Sequence, residues 1–281
     1  METANIVTAL AERPATRFTA DDALKASASF WYATALIGQV AFALYVVAFY
    51  GQAAAHGRFE NWNHVLVGGY VRGGAIGNGA LAAHLLLAVL VTLGGLLQLP
   101  SRLRARLPAL HRWNGRLYLS LAAIATLTGL FAVWTRGTAG GPLMRVGISL
   151  NGVLLIGAAW LAWRFAAARR FDLHRRWALR AFVLVSGVWF FRVGLMAWML
   201  INQGPAGVGD DFDGPFVRFW AFGCYLVPLA VLELYLRAGE RTAPKPAKAA
   251  MAVALTASTL VMGAGVAGAA FGMWLPHLGG R

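Results

Sequence analysis

The chain has 281 residues, of which 59% are hydrophobic and 13% are charged. A soluble domain carries about 25% charged residues, so this composition excludes a water-soluble globular fold. The formal net charge of +14 would suit either nucleic acid or anionic lipid as a partner, and the positions of the basic residues decide between them.

Seven apolar runs are long enough to cross a bilayer as helices, which takes about 20 residues. In chain order they cover residues 30–50, 79–99, 116–135, 146–165, 178–200, 216–236 and 250–274. Barrel strands would alternate apolar and polar side chains over about 10 positions, whereas these runs are apolar on every side. The sequence therefore predicts an all-α, polytopic transmembrane helix bundle with about seven spans.

The segments between and around these runs divide the chain into four predicted parts. Residues 1–28 are expected to be a cytoplasmic N-terminal segment, either disordered or with a surface helix starting near Thr19. Residues 29–238 form the predicted membrane domain. A predicted cytoplasmic linker, 239–249, then leads to an additional C-terminal span with a short outer tail, 250–281. The N-terminal segment lacks the layout of a cleaved signal peptide.

The basic residues fall mainly on one side of the predicted membrane. Loops and termini on that side hold 18 of the 25 Lys and Arg residues, the other side holds 6, and Arg192 lies inside a span. Because Lys and Arg stay preferentially in the cytoplasm, we expect a multi-pass protein with a cytoplasmic N-terminus and an outer C-terminus. Topology and anionic lipid then explain the charge, and no nucleic acid is expected as a partner.

A short motif occurs twice, each time at the start of a span that follows a basic loop. The first copy is LHRWNGRLY at residues 110–118, and the second is LHRRWALRAF at residues 173–182. Both copies place His-Arg just before a helix, followed by Trp and, three residues later, by Arg. An internal repeat of two helical hairpins would explain the recurrence, and so would the general preference of Trp and Arg for the cytoplasmic interface.

These segments also carry a resemblance to a known family. Together with AAHLLLAVLVTLGGLLQLPSRLRARLP at the second span and WFFRVG in the fifth, they resemble the bacterial membrane proteins catalogued as domain of unknown function 2306, over about residues 75–236. The resemblance implies a bacterial inner (cytoplasmic) membrane protein without an established activity. Its pattern highlights His84, Gln98, His111, Arg112, Gly115, Arg116, Tyr118, His174, Arg175, Trp177, Arg180, Arg192 and Glu233. Ala178 stands where the family has methionine.

Polar side chains inside spans are costly, so they are candidates for function. His84 and Arg192 lie at about the same predicted depth in the outer part of the membrane, near Asn151. They would line one pocket for an anionic or quinone-like ligand. The alternative is a structural network in which His84 bonds a backbone carbonyl and Arg192 reaches Asp210 or Asp211.

A second group of candidates lies at the cytoplasmic surface. One hypothesis makes His111 and His174 ligands of a metal or of haem iron, with Arg112, Arg116 and Arg180 pairing with haem propionates. The alternative is that both histidines bond loop carbonyls at the starts of helices. Glu233 is expected to pair with Arg237, four residues later on the same helix.

Three functions stay open at this point, and no catalytic residue is identified. The first is an integral membrane redox protein that holds haem b or a quinone in a four-helix core, spans two to five, and exchanges electrons with a membrane redox partner. The second is a small-molecule transporter or permease-like bundle built from the two hairpins. The third is a structural or assembly subunit without a ligand. Gly268 and Gly272 form a GxxxG pattern that would suit a homodimer.

Overall fold

The computed structural model describes residues 18–278, and this part of the chain contains helices and loops but no strand. Six helices are long and apolar enough to cross a membrane, and the bent pair α7 and α8 makes a seventh span if it is counted as one. The predicted all-α polytopic bundle of about seven spans is therefore confirmed. The elements are α1 (Ala20–Val46), a π-helical turn (Val47–Gly51), α2 (Gln52–Ala55), a 3-10 turn (Phe59–His64), α3 (Ala75–Gln98), α4 (Ser101–Arg106), α5 (Pro108–Arg136), α6 (Gly141–Ala167), α7 (Phe171–Val185), α8 (Gly187–Ile201), α9 (Pro215–Ala238), α10 (Lys245–Ala269), a second π-helical turn (Ala270–Trp274) and α11 (Leu275–Leu278).

Helix α1 begins before the predicted first span, at a capping box. The side chain of Thr19 accepts a hydrogen bond from the backbone N–H of Asp22 (3.2 Å), and the Asp22 carboxylate accepts one from the backbone N–H of Thr19 (3.1 Å). This reciprocal pair satisfies two N–H groups that a helix start leaves without partners. A helix start near Thr19 was one of the two alternatives from the sequence. Residues 1–17 of the predicted N-terminal segment and 279–281 of the predicted tail lie outside the described residues.

The spans pack as two hairpins with three further helices around them. Helix α3 packs along α5, and α6 packs along α7. Contacts between α5 and α6 and between α3 and α7 join the two hairpins into a four-helix core. Helix α1 packs against α3 and α10, α10 also packs against α8, and α9 packs against α6, α7 and α8.

Four chain segments meet at one end of the bundle, which we call the basic end. They are the start of α1, the connection from α3 to α5, the connection from α6 to α7 and the connection from α9 to α10. The Lys248 ammonium bonds the Asp21 carboxylate (2.7 Å), and the Arg176 guanidinium bonds the Glu240 carboxylate (2.8 Å). The first ion pair joins the starts of α1 and α10, and the second joins the start of α7 to the connection from α9 to α10. We call the opposite end the distal end.

The lateral surface of the bundle is covered by large apolar side chains. The exposed ones include Leu86, Leu90, Ile124, Leu127, Val153, Trp160, Phe219, Val253 and Leu260. A soluble protein rarely exposes so much continuous apolar surface. This surface is what the acyl chains of a lipid bilayer contact.

The fifth predicted span is broken at Ser186, where α7 and α8 meet at an angle of 57°. The Ser186 hydroxyl donates to the carbonyl oxygen of Phe182 (2.9 Å) and accepts from the side-chain amide of Gln39 (3.0 Å). The side-chain amide of Asn151 donates to the carbonyl oxygen of Leu184 (3.2 Å). Because lipid offers no hydrogen bonds, a break in a spanning helix needs such protein partners. This break could not be predicted from the sequence, since the apolar run continues through it.

The GxxxG pattern of the last span faces another helix of the same chain. A Cβ atom at Gly268 would come within 2.9 Å of the Leu200 side chain, and one at Gly272 within 2.9 Å of the Met196 side chain. Both neighbours belong to α8. The pattern is therefore used inside the protein, and a homodimer stays a prediction.

Candidate functional site

A large cavity of about 1760 Å³, partly open to its surroundings, is lined by residues of α1 and of α3 to α10. Small-molecule pockets commonly enclose roughly 300–1,000 Å³, so this one has room for a large ligand. Charged and imidazole side chains line it at the basic end: Lys25, Arg102, Arg104, His111, Arg112, Arg116, Asp172, His174 and Arg175. Apolar side chains line its interior, among them Phe182, Phe190, Val193, Val227, Val231 and Met262. The lining thus suits an apolar molecule with anionic groups at one end.

Both copies of the His-Arg motif face this cavity with the same helical pattern. The first copy contributes His111, Arg112, Gly115, Arg116, Tyr118 and Leu119, and the second contributes His174, Arg175, Ala178, Leu179, Phe182 and Val183. Counted from each histidine, the lining positions at zero, one, four, five and eight are shared. Residues spaced by about four lie on one face of a helix. Both copies therefore present one helical face to the cavity.

The two motif histidines have different hydrogen bonds. His174 Nδ1 lies 2.9 Å from the carbonyl oxygen of Ala162. A neutral imidazole that donates from Nδ1 keeps its lone pair on Nε2, which is then available to a ligand. His111 Nδ1 is buried and has no hydrogen-bond partner in residues 18–278. The alternative that both histidines bond carbonyls therefore fits His174 alone.

Tyr118 supplies a second unpartnered polar atom in the cavity wall. Its side chain is only 5% exposed, and its hydroxyl has no hydrogen-bond partner among the described residues. The ring lies against α3, where a Cβ atom at Gly95 would come within 2.9 Å of it. Leaving a buried hydroxyl unpaired costs about 1–3 kcal/mol. The sequence highlighted Tyr118 only through the family pattern, because burial of its hydroxyl depends on the packing of α3 against α5.

Arg180 does not line the large cavity, and it holds Glu233 instead. Its guanidinium makes two hydrogen bonds to the Glu233 carboxylate, of 2.6 and 2.9 Å, and lies over the Trp177 ring with Cζ 4.5 Å from the ring centre. The expected pairing of Glu233 with Arg237 was therefore wrong. Helices α7 and α9 pack side by side, so Arg180 reaches both oxygens of the Glu233 carboxylate. Arg237, on the same helix as Glu233, does not reach this bidentate geometry.

His84 and Arg192 contact different helices, although they were expected to share a depth. His84 Nδ1 lies 2.8 Å from the carbonyl oxygen of Ala125 on α5. Arg192 lies over the ring of Phe42 on α1, with Cζ 5.4 Å from the ring centre. Neither residue lines the large cavity. The structure does not bring the two side chains together, and Arg192 has no salt bridge to Asp210, Asp211 or any other carboxylate within the described range.

The described part of the chain does not form a metal centre with three or more His, Cys, Asp or Glu ligands. No group of three or more His, Cys, Asp or Glu side chains within residues 18–278 is placed to hold an ion. Structural zinc sites need four protein ligands and catalytic ones three. His111 and His174 are thus two imidazoles that line one cavity.

The family model described as Predicted membrane protein (DUF2306) matches residues 81–236, more than half of the chain. The chain belongs to this family. The DUF2306 segment runs from within α3 to near the end of α9, so it includes both His-Arg motifs, the broken span and the Arg180–Glu233 ion pair. No curated protein and no solved structure matches the chain.

Helices outside the DUF2306 segment complete the cavity. Lys25, Trp31 and Tyr32 of α1 line it, and so do Leu255 and Met262 of α10. The cavity is therefore a property of the whole bundle. The last span was interpreted as an addition to the family-like core, and the structure gives it a place in the wall of the candidate site.

The broken span within the DUF2306 segment yields a test of its hydrogen bonds. Replacing Asn151 by alanine leaves the carbonyl oxygen of Leu184 without its partner in an apolar environment. We expect a loss of about 1–3 kcal/mol and a lower unfolding temperature of the purified protein in detergent. Thr128→Ala is the matched control, because the Thr128 hydroxyl only bonds carbonyls of its own helix. Equal unfolding temperatures for both variants would contradict the role given to Asn151.

Proposed function

We propose that the protein is an integral membrane redox protein that holds haem between its helices, with its basic end in the cytoplasm. One observation carries the proposal: the histidines of both repeated motifs line a single cavity that is apolar inside and basic at one end. Haem, when bound, would supply one-electron transfer by its iron. The protein would supply two histidines to hold the iron, an apolar lining and the charges that hold the propionates.

The bonding of the two histidines supports them as the residues that would hold the iron. A histidine that ligates iron commonly donates its other ring N–H to a carbonyl group, which fixes the orientation of the ring. His174 has this arrangement through Ala162. His111 has a buried Nδ1 that forms no hydrogen bond with any group of residues 18–278. A bond to iron or a hydrogen bond to the cofactor would satisfy this nitrogen.

The basic residues of the cavity support binding of a doubly anionic molecule. Arg112 and Arg116 lie on the same face of α5 as His111, and Arg175 follows His174 on α7. Arginine pairs well with carboxylates such as the haem propionates, because its planar fork donates two parallel hydrogen bonds. Arg180 already pairs with Glu233, so Arg175 replaces Arg180 as a residue that would pair with a propionate.

The absorption spectrum of the protein tests this proposal. We expect protein purified in mild detergent from cells given a haem precursor to have a Soret band that shifts on reduction with dithionite. Loss of a second-shell partner alone weakens cofactor or metal binding about 10- to 100-fold, so His111→Ala and His174→Ala should lower the haem-to-protein ratio at least about tenfold. His64→Ala is the control, since this exposed histidine lies at the distal end.

Two outcomes would contradict haem binding. The first is a colourless wild-type protein from haem-supplied cells. The second is an equal haem content in the two motif variants and in His64→Ala. Organic extracts of the same preparation should also be analysed for quinone, since a bound quinone would retain the redox function with the other expected cofactor.

The broken span favours a second candidate function, small-molecule transport. Transporters often bind substrate where a spanning helix is interrupted, because the freed backbone groups can contact the substrate. Here the break at Ser186 is joined by Gln39 and Asn151 from two other spans. The Asn151 side-chain oxygen is buried and unpartnered within residues 18–278. A colourless, quinone-free protein would favour this function over the redox function.

A further inference from the structure

Arg192 is a cation inside a membrane span without an anionic partner. It lies on α8, nine positions before the end of this helix at Ile201, so it is about 13 Å from the distal end of the helix. No carboxylate of residues 18–278 forms a salt bridge with it. Its hydrogen bond, of 3.3 Å, goes to the carbonyl oxygen of Val188 on its own helix. A guanidinium has five N–H donors, so most of its donors are unused.

A second unused donor lies beside the same phenylalanine. The Trp274 side chain is 3% exposed, and its indole N–H has no hydrogen-bond partner among the described residues. The Trp274 ring centre is 5.5 Å from that of Phe42, and Arg192 Cζ is 5.4 Å from the same ring centre. Arg192 and Trp274 therefore flank Phe42 where α1, α8 and α10 meet. Each of these two side chains therefore has capacity for a hydrogen-bond acceptor from outside the described residues.

The backbone around this cluster is irregular in both neighbouring helices. Helix α1 continues into the π-helical turn Val47–Gly51, and α10 continues into the π-helical turn Ala270–Trp274. Such π-helical turns are rare in proteins, and those that occur are often found at functional sites. Tyr45 lies between them, stacked on the Trp274 ring with their centres 6.3 Å apart. The irregular turns thus coincide with the unused donors.

We propose that this junction binds an anionic phosphate group, with Arg192 as the charge partner and the Trp274 indole as a hydrogen-bond donor. An uncompensated cation at this depth is costly, and a bound anion would remove the cost. The phosphate could come from an anionic phospholipid at the distal end or from a soluble phosphate compound. The proposal is independent of haem binding, because Arg192 and Trp274 do not line the large cavity.

Native mass spectrometry of the purified protein tests the phospholipid source. The protein is titrated with phosphatidylglycerol, and phosphatidylcholine serves as the zwitterionic comparison. We expect Arg192→Gln to bind one phosphatidylglycerol fewer, or to bind it about tenfold more weakly, and Trp274→Phe to weaken it less. Arg218→Gln is the control, because this arginine pairs with Asp213 at the distal end. Arg192→Lys should restore part of the binding.

Inorganic phosphate tests the soluble source, with thermal stabilisation of the protein in neutral detergent as the readout. Stabilisation that is lost in Arg192→Gln and kept in Arg218→Gln would support the site with a soluble anion. The unfolding temperatures without ligand identify any variant that fails to fold, and Trp274→Phe then gives an independent test that keeps the charge. The proposal is overturned if Arg192→Gln and Trp274→Phe match the wild type with both phosphatidylglycerol and phosphate.

Discussion

Replacing Gly265 by alanine is expected to force α10 away from α8 and to destabilise the whole bundle. A Cβ atom at Gly265 would overlap the backbone carbonyl oxygen of Val193, and it would come within 2.9 Å of the Val193 side chain. A backbone group cannot move aside as a flexible side chain can. Overpacking of this kind costs about 1–3 kcal/mol. We therefore expect the unfolding temperature in detergent to fall by roughly 5 °C or more, as measured by intrinsic fluorescence.

The neighbouring glycine of the same helix is the matched control for this prediction. At Gly263 the nearest atom to a new Cβ would be the Thr34 side chain, at 3.7 Å, which is ordinary contact distance. Alanine also has the higher helix propensity, so Gly263→Ala should keep or raise the unfolding temperature. If the two alanine variants unfold at the same temperature, the close contact between α8 and α10 is not present in the protein.

Breaking the ion pair between Arg180 and Glu233 is the second large effect that we expect. Removing one partner of a fully buried pair costs about 3–5 kcal/mol, because it leaves an uncompensated charge. These side chains are 20% and 36% exposed, so we expect a smaller loss, about 1–3 kcal/mol, for Arg180→Leu or Glu233→Leu alone. The measurement is thermal unfolding of each variant in the same detergent.

Two further variants make this prediction specific. The double variant Arg180→Leu with Glu233→Leu removes both charges, so it should unfold at a higher temperature than either single variant. Arg176→Gln is the control on the same helix, because the Arg176–Glu240 pair is more exposed and should contribute about 0–1 kcal/mol. Additive losses in the double variant would mean that the two charges do not interact.

The number of spans and the all-helical fold could be predicted, because both depend on composition and on run length. The break at Ser186 could not, because serine and glycine inside an apolar run are compatible with a straight helix. Its partners, Gln39 and Asn151, come from distant parts of the chain. What interrupts the helix is thus the packing of three spans, which the local sequence does not contain.

The candidate site was predicted in part, and the limits have a geometric reason. The repeated motif placed His111 and His174 at the same end, and both line the cavity. Depth along a helix follows from the rise per residue, so His84 and Arg192 could be given similar depths. The direction in which each side chain points also depends on how the helices are rotated about their axes. The rotation of the helices points His84 and Arg192 at different neighbours. In the same way it points Glu233 at Arg180.

The packing of α1 against α10 sets an order of assembly for the protein. Lys248 and Asp21, which join the starts of these helices, are 227 residues apart in the chain. During synthesis the face of α1 that contacts α10 must wait until α10 has been made and inserted. Until then its partners are lipid or the insertion machinery, and the wall of the cavity is incomplete. The bundle therefore closes last where α1 and α10 meet.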